Sequence, residues 1–333
     1  MKQIFLYATL LAMPLLAACS NEDSNTSAAA DEIHFTSHLS ATATRGTTAL
    51  QENQLAEGAA VYVWAENFSD NTEFFNAWEL TANGSGGFTE PGTKYYPKGN
   101  GKLNFYAIHY NGSFSRDTQT FPDNVTGQLH AVEVNQTTPA AFVRSDLLYA
   151  SMQEQGHMRS AVPLTFYHML SKIEVALKLG ENITADDLDG ATLELMNGSN
   201  KLKTTVTFKP TKTTATAMSE NANNLRANMV ATENATEADR IGMALPAVTA
   251  DFSDFTEAIL PPQTVNGKFI KLTITNTESK YNGLELFYTL SEEKQLKSGY
   301  KYRFNITVSP TVLTAATPTV AEWGSNTDTP ITF

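Results

Sequence analysis

The chain has 333 residues, of which 41% are hydrophobic and 17% charged, and its formal net charge at pH 7 is −12. This apolar fraction excludes wholesale disorder, and the length is sufficient for two domains that each bury a core. A strongly anionic chain is a poor ligand for phosphate backbones, so nucleic acid is excluded as an expected partner.

An export signal occupies residues 1–18. Lys2 precedes an apolar run over 4–16, which is too short to span a bilayer stably. Leu16-Ala17-Ala18 then leads to Cys19, the only cysteine, so no disulfide can form within the chain. This arrangement resembles the lipobox of bacterial lipoproteins and predicts a covalent lipid on Cys19, with no other cofactor. An ordinary secretory signal cleaved after Ala18 is the alternative interpretation.

The first predicted strand lies directly before an isolated basic residue. Its inward face carries apolar side chains at alternating positions, Ile33, Phe35, Leu39 and Ala43. Arg45, followed by Gly46, is the only arginine in the first 110 residues and stands in a Thr-rich segment. Such an exposed site favours proteolysis, although an incidental surface arginine is the alternative interpretation.

Nine further segments combine alternating apolar positions with Val, Ile, Thr, Tyr and Phe, which is typical of strands. They are 61–64, 103–108, 164–167, 173–179, 192–195, 204–208, 269–275, 284–290 and 302–308. Turn signals such as Asn83-Gly84 and Asn282-Gly283 separate them. Short strands with regular turns predict an all-β fold built from β-sandwiches. Residues 218–235 offer only a weak helix, and 180–182 is the predicted domain break.

Few residues of the sequence occur in patterns typical of catalytic or metal sites. His34 and His38 would form a metal pair on a helix, but a strand separates them by about 13 Å. His168 follows a predicted strand and is interpreted as a packed or hydrogen-bonded side chain. Nucleophile elbows and phosphate-binding loops are absent from the sequence. The chain is therefore not expected to be an enzyme.

Seven segments in a fixed order carry a family resemblance. They are 60–64, 95–107, 146–150, 162–173, 259–263, 296–302 and 321–333. Examples are Ala60-Val61-Tyr62-Val63-Trp64 and Ile259-Leu260-Pro261-Pro262-Gln263. Together they resemble the fimbrillin family, the type V pilus subunits of Bacteroidetes.

The resemblance implies two transthyretin-like β-sandwich domains in tandem, at 46–182 and 183–333, behind a lipidated propeptide at 19–45. It implies that a trypsin-like or arginine-specific protease cuts after Arg45, and that a donor strand from another fimbrial subunit fills the resulting groove. The precursor would be anchored in the outer membrane through its lipid, and the product would be a cell-surface fimbrium serving adhesion or biofilm formation.

The predicted donor is the segment 311–333. Its apolar anchors are Val312, Leu313, Val320, Trp323, Ile331 and Phe333. Pro310 and Pro318 discourage a helix there. The alternative is that this segment is an ordinary closing strand of the C-terminal domain.

Two other functions are compatible with the sequence. A monomeric surface lipoprotein could bind glycans or host proteins on an aromatic platform made from Trp64, Trp78, Tyr95 and Tyr96. A pilus anchor would keep its lipid and leave Arg45 uncut.

Overall fold

The computed structural model describes residues 31–39, 54–99, 101–112, 121, 128–208, 236–323 and 329–330. Nearly all regular structure in this part of the chain is β-strand. Within it, no helix is both long and apolar enough to span a membrane. The weak helix predicted over 218–235 lies outside the described residues.

The first sheet has seven strands and comes from the N-terminal half. Its strands, in chain order, are β1 (Phe35–Leu39), β2 (Ala60–Asn67), β3 (Glu73–Ala82), β4 (Phe88–Thr89), β5 (Leu103–His109), β8 (Leu148–Gln155) and β9 (Val162–His168). Their spatial order is β1-β9-β8-β5-β2-β3-β4. The β1–β9 pair is parallel, whereas its other neighbouring pairs are antiparallel.

The second sheet has six strands and contains the last strands of the chain. Its strands are β10 (Ser171–Leu179), β16 (Thr256–Leu260), β21 (Tyr300–Ser309), β22 (Val312–Ala315), β23 (Thr319–Glu322) and β24 (Thr329–Pro330). The order is β16-β10-β21-β23-β24, and β22 also pairs with β21.

A third sheet of five strands packs with the second. Its strands are β7 (Asn135–Gln136), β11 (Thr192–Leu195), β15 (Ile241–Met243), β18 (Lys268–Thr273) and β19 (Glu285–Thr289). Three two-stranded ribbons complete the β-structure: β6 (Gln128–Ala131) with β13 (Thr205–Phe208), β12 (Leu202–Lys203) with β14 (Glu237–Ala238), and β17 (Thr264–Val265) with β20 (Lys294–Gln295).

A short helix, α1 (Pro139–Ser145), joins β7 to β8. Thr138 caps its first turn, because the Thr138 hydroxyl accepts a hydrogen bond from the Ala141 N–H. A 3-10 helix at Asp186–Leu188 follows β10.

The strands of the first sheet bury side chains on both faces. On β2, Val61 and Val63 enter one core, which they share with β1. The alternate residues Tyr62 and Trp64 enter a second core, which extends into the second and third sheets. The first sheet is therefore covered on both sides, with β1 belonging to one core only.

The all-β prediction is confirmed, and each of the nine predicted segments contains or overlaps a strand. The change of sheet falls between β9 and β10, earlier than the predicted break at 180–182, because β10 pairs with β16 and β21. The division into tandem domains at 46–182 and 183–333 stays a prediction.

Candidate functional site

The strand β1 has chain neighbours on both of its edges. On one edge it runs parallel to β9, with Phe35 opposite Val162 and Leu39 opposite Phe166. On the other edge, Thr36 bridges Gly87 in an antiparallel pair. The strand therefore fills a gap between the end of the first sheet and the segment 86–96.

Backbone hydrogen bonds hold both edges of β1 and of the residues 33–34 directly before it. The Ser37 N–H donates to Gly86 O and the Ile33 N–H donates to Lys94 O, each at 2.8 Å. On the other edge, the Val162 N–H donates to the carbonyl oxygen of His34 at 2.7 Å. Removing β1 would leave these groups without their partners.

The buried face of β1 is the one that the sequence predicts. Ile33, Phe35 and Leu39 are buried, and the residues between them, His34 and His38, are exposed. Ser37 lies on the same face, as the alternation requires, and is also buried, although its hydroxyl has no hydrogen-bond partner among the residues that the structure describes.

Phe35 occupies an aromatic cage. Its ring packs edge-to-face against Phe105, with a centroid separation of 5.1 Å, and against Trp78 at 6.1 Å. Phe75 closes the cage, with its ring centroid 5.6 Å from that of Trp78. The sequence did not assign Phe75, Trp78 and Phe105 to this site, since the pattern of a single strand does not show which side chains of other strands contact Phe35.

A bulge in β3 orients this cage. The pairing of β2 with β3 shifts register next to Val63, and Ala77 on β3 has a φ of 36°. The bulge sends Ala77 to the second core, while Phe75 and Trp78 both point to the core that contains β1. The Trp78 indole N–H is then satisfied by Pro91 O at 3.1 Å.

The outer face of β1 carries polar contacts. His34 Nδ1 lies 2.8 Å from Glu90 Oε2, and its Nε2 lies 3.3 Å from Glu32 Oε2. The same Glu90 accepts a hydrogen bond from the Phe35 N–H at 3.3 Å. Within the described residues, no group of three or more His, Cys, Asp or Glu side chains could hold a metal ion.

The tail segment, defined here as residues 312–323, is docked on its own chain. The strands β22 and β23 both pair antiparallel with β21, and β24 follows on the outer edge of β23. Among the predicted donor anchors, Leu313 and Trp323 are buried, Val320 is half-buried, and Val312 is 43% exposed.

Trp323 lies flat on a histidine. The indole and the His168 imidazole stack with centroids 3.7 Å apart and planes 5° apart. His168 is fully buried, and its Nδ1 is 2.9 Å from Asp146 Oδ2, in keeping with the prediction of a packed histidine. The ammonium of Lys172 lies 5.1 Å from the Trp323 ring centroid.

A buried charge cluster lies beside this ring. Lys172 Nζ is 2.5 Å from Glu257 Oε1 and 3.1 Å from Glu174 Oε1. Arg303 Nε contacts the other Glu174 oxygen at 2.7 Å. Burial raises the pKa of Glu174, but the positive charges of Lys172, Arg303 and Lys301 outweigh this effect and lower it below its ordinary value.

The aromatic platform considered for glycan binding does not form. Trp64 and Trp78 are buried in different cores, and Tyr96 is buried as well. Of the four candidates, only Tyr95 offers its ring to solvent, at 49% exposure. This arrangement removes the feature on which a glycan-binding function was based.

Six predicted site residues cannot be placed. Cys19, Ala43, Arg45, Gly46, Ile331 and Phe333 lie outside the described residues. Lipidation, cleavage and the far end of the donor segment therefore stay predictions.

The family model described as "Fimbrillin-like" matches residues 44–323, which is most of the chain. The chain belongs to the fimbrillin-like family. The match begins after β1, so the strand that fills the gap in the first sheet lies outside it.

Two solved structures share the fold of this fimbrillin-like chain. A candidate cell adhesion protein from Bacteroides uniformis has 19% sequence identity and a TM-score of 0.57, covering 88% of this chain and 98% of its own. Another from Bacteroides ovatus has 16% identity and a TM-score of 0.59, covering 88% of this chain and 97% of its own. No curated protein sequence matches the chain.

Family membership assigns a structural role. Fimbrillin-like proteins are non-enzymatic subunits of fimbriae at the cell surface, where they associate with other fimbrial subunits. The chain is accordingly a fimbrial subunit and not an enzyme.

Proposed function

We propose that this subunit is exported as a lipoprotein on Cys19, cleaved after Arg45, and polymerised by strand exchange. In this proposal cleavage frees β1, and the segment 311–333 of another subunit takes its place. The observation that carries the proposal is the position of β1, which is a short segment held between β9 and residues 86–96 with its apolar face in the aromatic cage.

The vacated groove would bind a strand strongly. Burying the side chains of Ile33, Phe35 and Leu39 contributes about 1.5–3 kcal/mol each, and any strand that replaces them recovers a similar amount. The carbonyls of Gly86 and Lys94 and the N–H of Val162 would again need partners. Such an open, apolar edge is a template for strand addition.

The tail supports the donor role through its attachment. The tail pairs with β21 through two short strands, β22 and β23, each of which contacts four residues of β21. A short strand of this kind can separate from its own chain without disrupting the core of the sheet, because β21 keeps its pairing with β10 on the other side. The same segment can thus pair with its own chain before exchange and with another subunit afterwards.

Cleavage can be tested on the full-length chain with an arginine-specific protease. The wild-type protein is expected to yield a fragment that begins at Gly46 and to form SDS-resistant ladders. Arg45→Ala should remain monomeric after the same treatment, because β1 then stays attached. Arg159→Ala, which removes an exposed arginine from a loop far along the sequence, is the matched control and should behave like the wild type.

Ladders from Arg45→Ala, or a clean start at Gly46 without any ladder, would contradict the exchange mechanism. Whether the assembled subunit keeps its lipid is tested separately by the intact mass of fimbriae sheared from cells. A lipid-free start at Gly46 is expected, whereas an acylated Cys19 on the major species would assign the chain to the fimbrial anchor.

A further inference from the structure

Trp323 is the largest buried side chain of the tail segment. The other buried apolar side chains there are Leu313, Pro318 and Ala321. The backbone N–H of Trp323 donates to Gly299 O at 2.7 Å, which fixes the indole at the end of β23. Contacts that stabilise the Trp323 ring therefore also stabilise the docked position of β23.

The surface that receives the ring is suited to an indole. The His168 imidazole lies parallel to it at 3.7 Å, and Asp146 fixes the imidazole through Nδ1. The Lys172 ammonium stands within cation–π range of the same ring. Stacking and a nearby cation both favour a flat, electron-rich ring over an aliphatic side chain of similar size.

A buried ammonium beside the ring lowers the cost of the ring's departure. Lys172 contacts the Trp323 ring and is buried while the tail is docked, and burying an ion carries a large desolvation penalty. Water that reaches this ammonium after undocking recovers part of the penalty. The indole N–H has no hydrogen-bond partner in the described part of the chain, so release also allows it to bind water.

We propose that Asp146, His168 and Lys172 form a receptor for one indole ring, which Trp323 fills while the tail is docked and leaves when β22 and β23 are released. The receptor is a property of the uncleaved protein. Its link to polymerisation rests on the proposed function, in which the released tail is the donor. Any flat, electron-rich ring of similar size is a ligand for the empty receptor.

Hydrogen exchange followed by mass spectrometry tests the receptor in the uncleaved full-length chain. In Trp323→Leu, amides of the tail segment are expected to exchange about tenfold or more faster than in the wild type, since stacking and the cation contact are lost. Trp323→Phe should stay within about threefold. Val312→Ala, an exposed position on the same tail, is the control, and unchanged exchange in β2 reports an intact fold.

A cavity variant tests the ligand class. Trp323→Gly should exchange rapidly in the tail, and free indole at millimolar concentration should slow that exchange, whereas cyclohexylmethanol should not. Equal exchange in wild type and Trp323→Leu, or equal rescue by both compounds, would show that the ring is ordinary apolar packing and overturn the receptor. Because these measurements precede cleavage, a failure to form ladders bears on the proposed function alone.

Discussion

The strand β1 and the tail segment both consist of short strands, yet their largest side chains are held in different ways. β1 has hydrogen bonds on both edges and places Phe35 among three aromatic rings. In the tail, β23 pairs with β21 on one edge and with the two-residue strand β24 on the other, and the Trp323 ring stacks on a histidine beside buried charges. An apolar cage binds its occupant firmly, whereas a polar receptor can release it at moderate cost.

The largest expected effect on the free energy of unfolding comes from removing the Phe35 ring from the aromatic cage. Phe35→Ala should lower the free energy of unfolding of the uncleaved chain by about 3–5 kcal/mol, because a large buried ring is replaced by a cavity. Urea unfolding of the uncleaved wild type and of Phe35→Ala measures the difference, with His38→Ala as the control on the exposed face. A loss below about 1 kcal/mol would show that β1 is not held more firmly than the tail.

An intermediate effect is expected at the charge cluster around Glu174, where the free energy of unfolding depends on pH. The pKa of Glu174 is below its ordinary value of 4.5 in the folded chain, so its carboxylate stabilises the fold above that pH. This contribution should disappear as the pH falls below 4.5 and through the lowered pKa. Glu174→Gln should cost about 1–3 kcal/mol at pH 7 and should weaken the loss of stability on acidification. Parallel unfolding curves for wild type and variant between pH 7 and pH 3 would contradict this account.

The smallest effect concerns the polar face of β1. His34 contacts Glu32 and Glu90, but half of the His34 side chain is exposed to solvent. Exposed pairs contribute about 0–1 kcal/mol, so His34→Ala should lower the stability of the uncleaved chain by less than about 1 kcal/mol. Chemical denaturation of His34→Ala and Phe35→Ala compares what the exposed face and the buried face of β1 contribute to the free energy of unfolding. Similar losses of stability in the two variants would mean that the cage is not the main contact of β1.

Local patterns were sufficient to predict the strands but not their neighbours. Alternation placed Ile33, Phe35 and Leu39 on one face of β1, because the side chains of a strand alternate regardless of context. The alternation in β10 places Lys172 and Glu174 on one face, and charged side chains are usually solvated. The structure buries both residues: the Trp323 ring, which lies far along the sequence, packs against Lys172, and Arg303 pairs with Glu174. The bulge at Ala77 has no equivalent local signal, because it depends on how β2 and β3 pair.

The parallel pairing of β1 with β9 gives the groove a direction. A strand that restores the same hydrogen bonds must run the same way as β9, so it can enter in one sense only. Two copies joined by one such contact present unlike surfaces to each other, and repeating this contact gives an open filament unless the rotation closes a ring or two copies exchange tails reciprocally. A filament built on it would have two different ends, one with a vacant groove and the other with an unused donor.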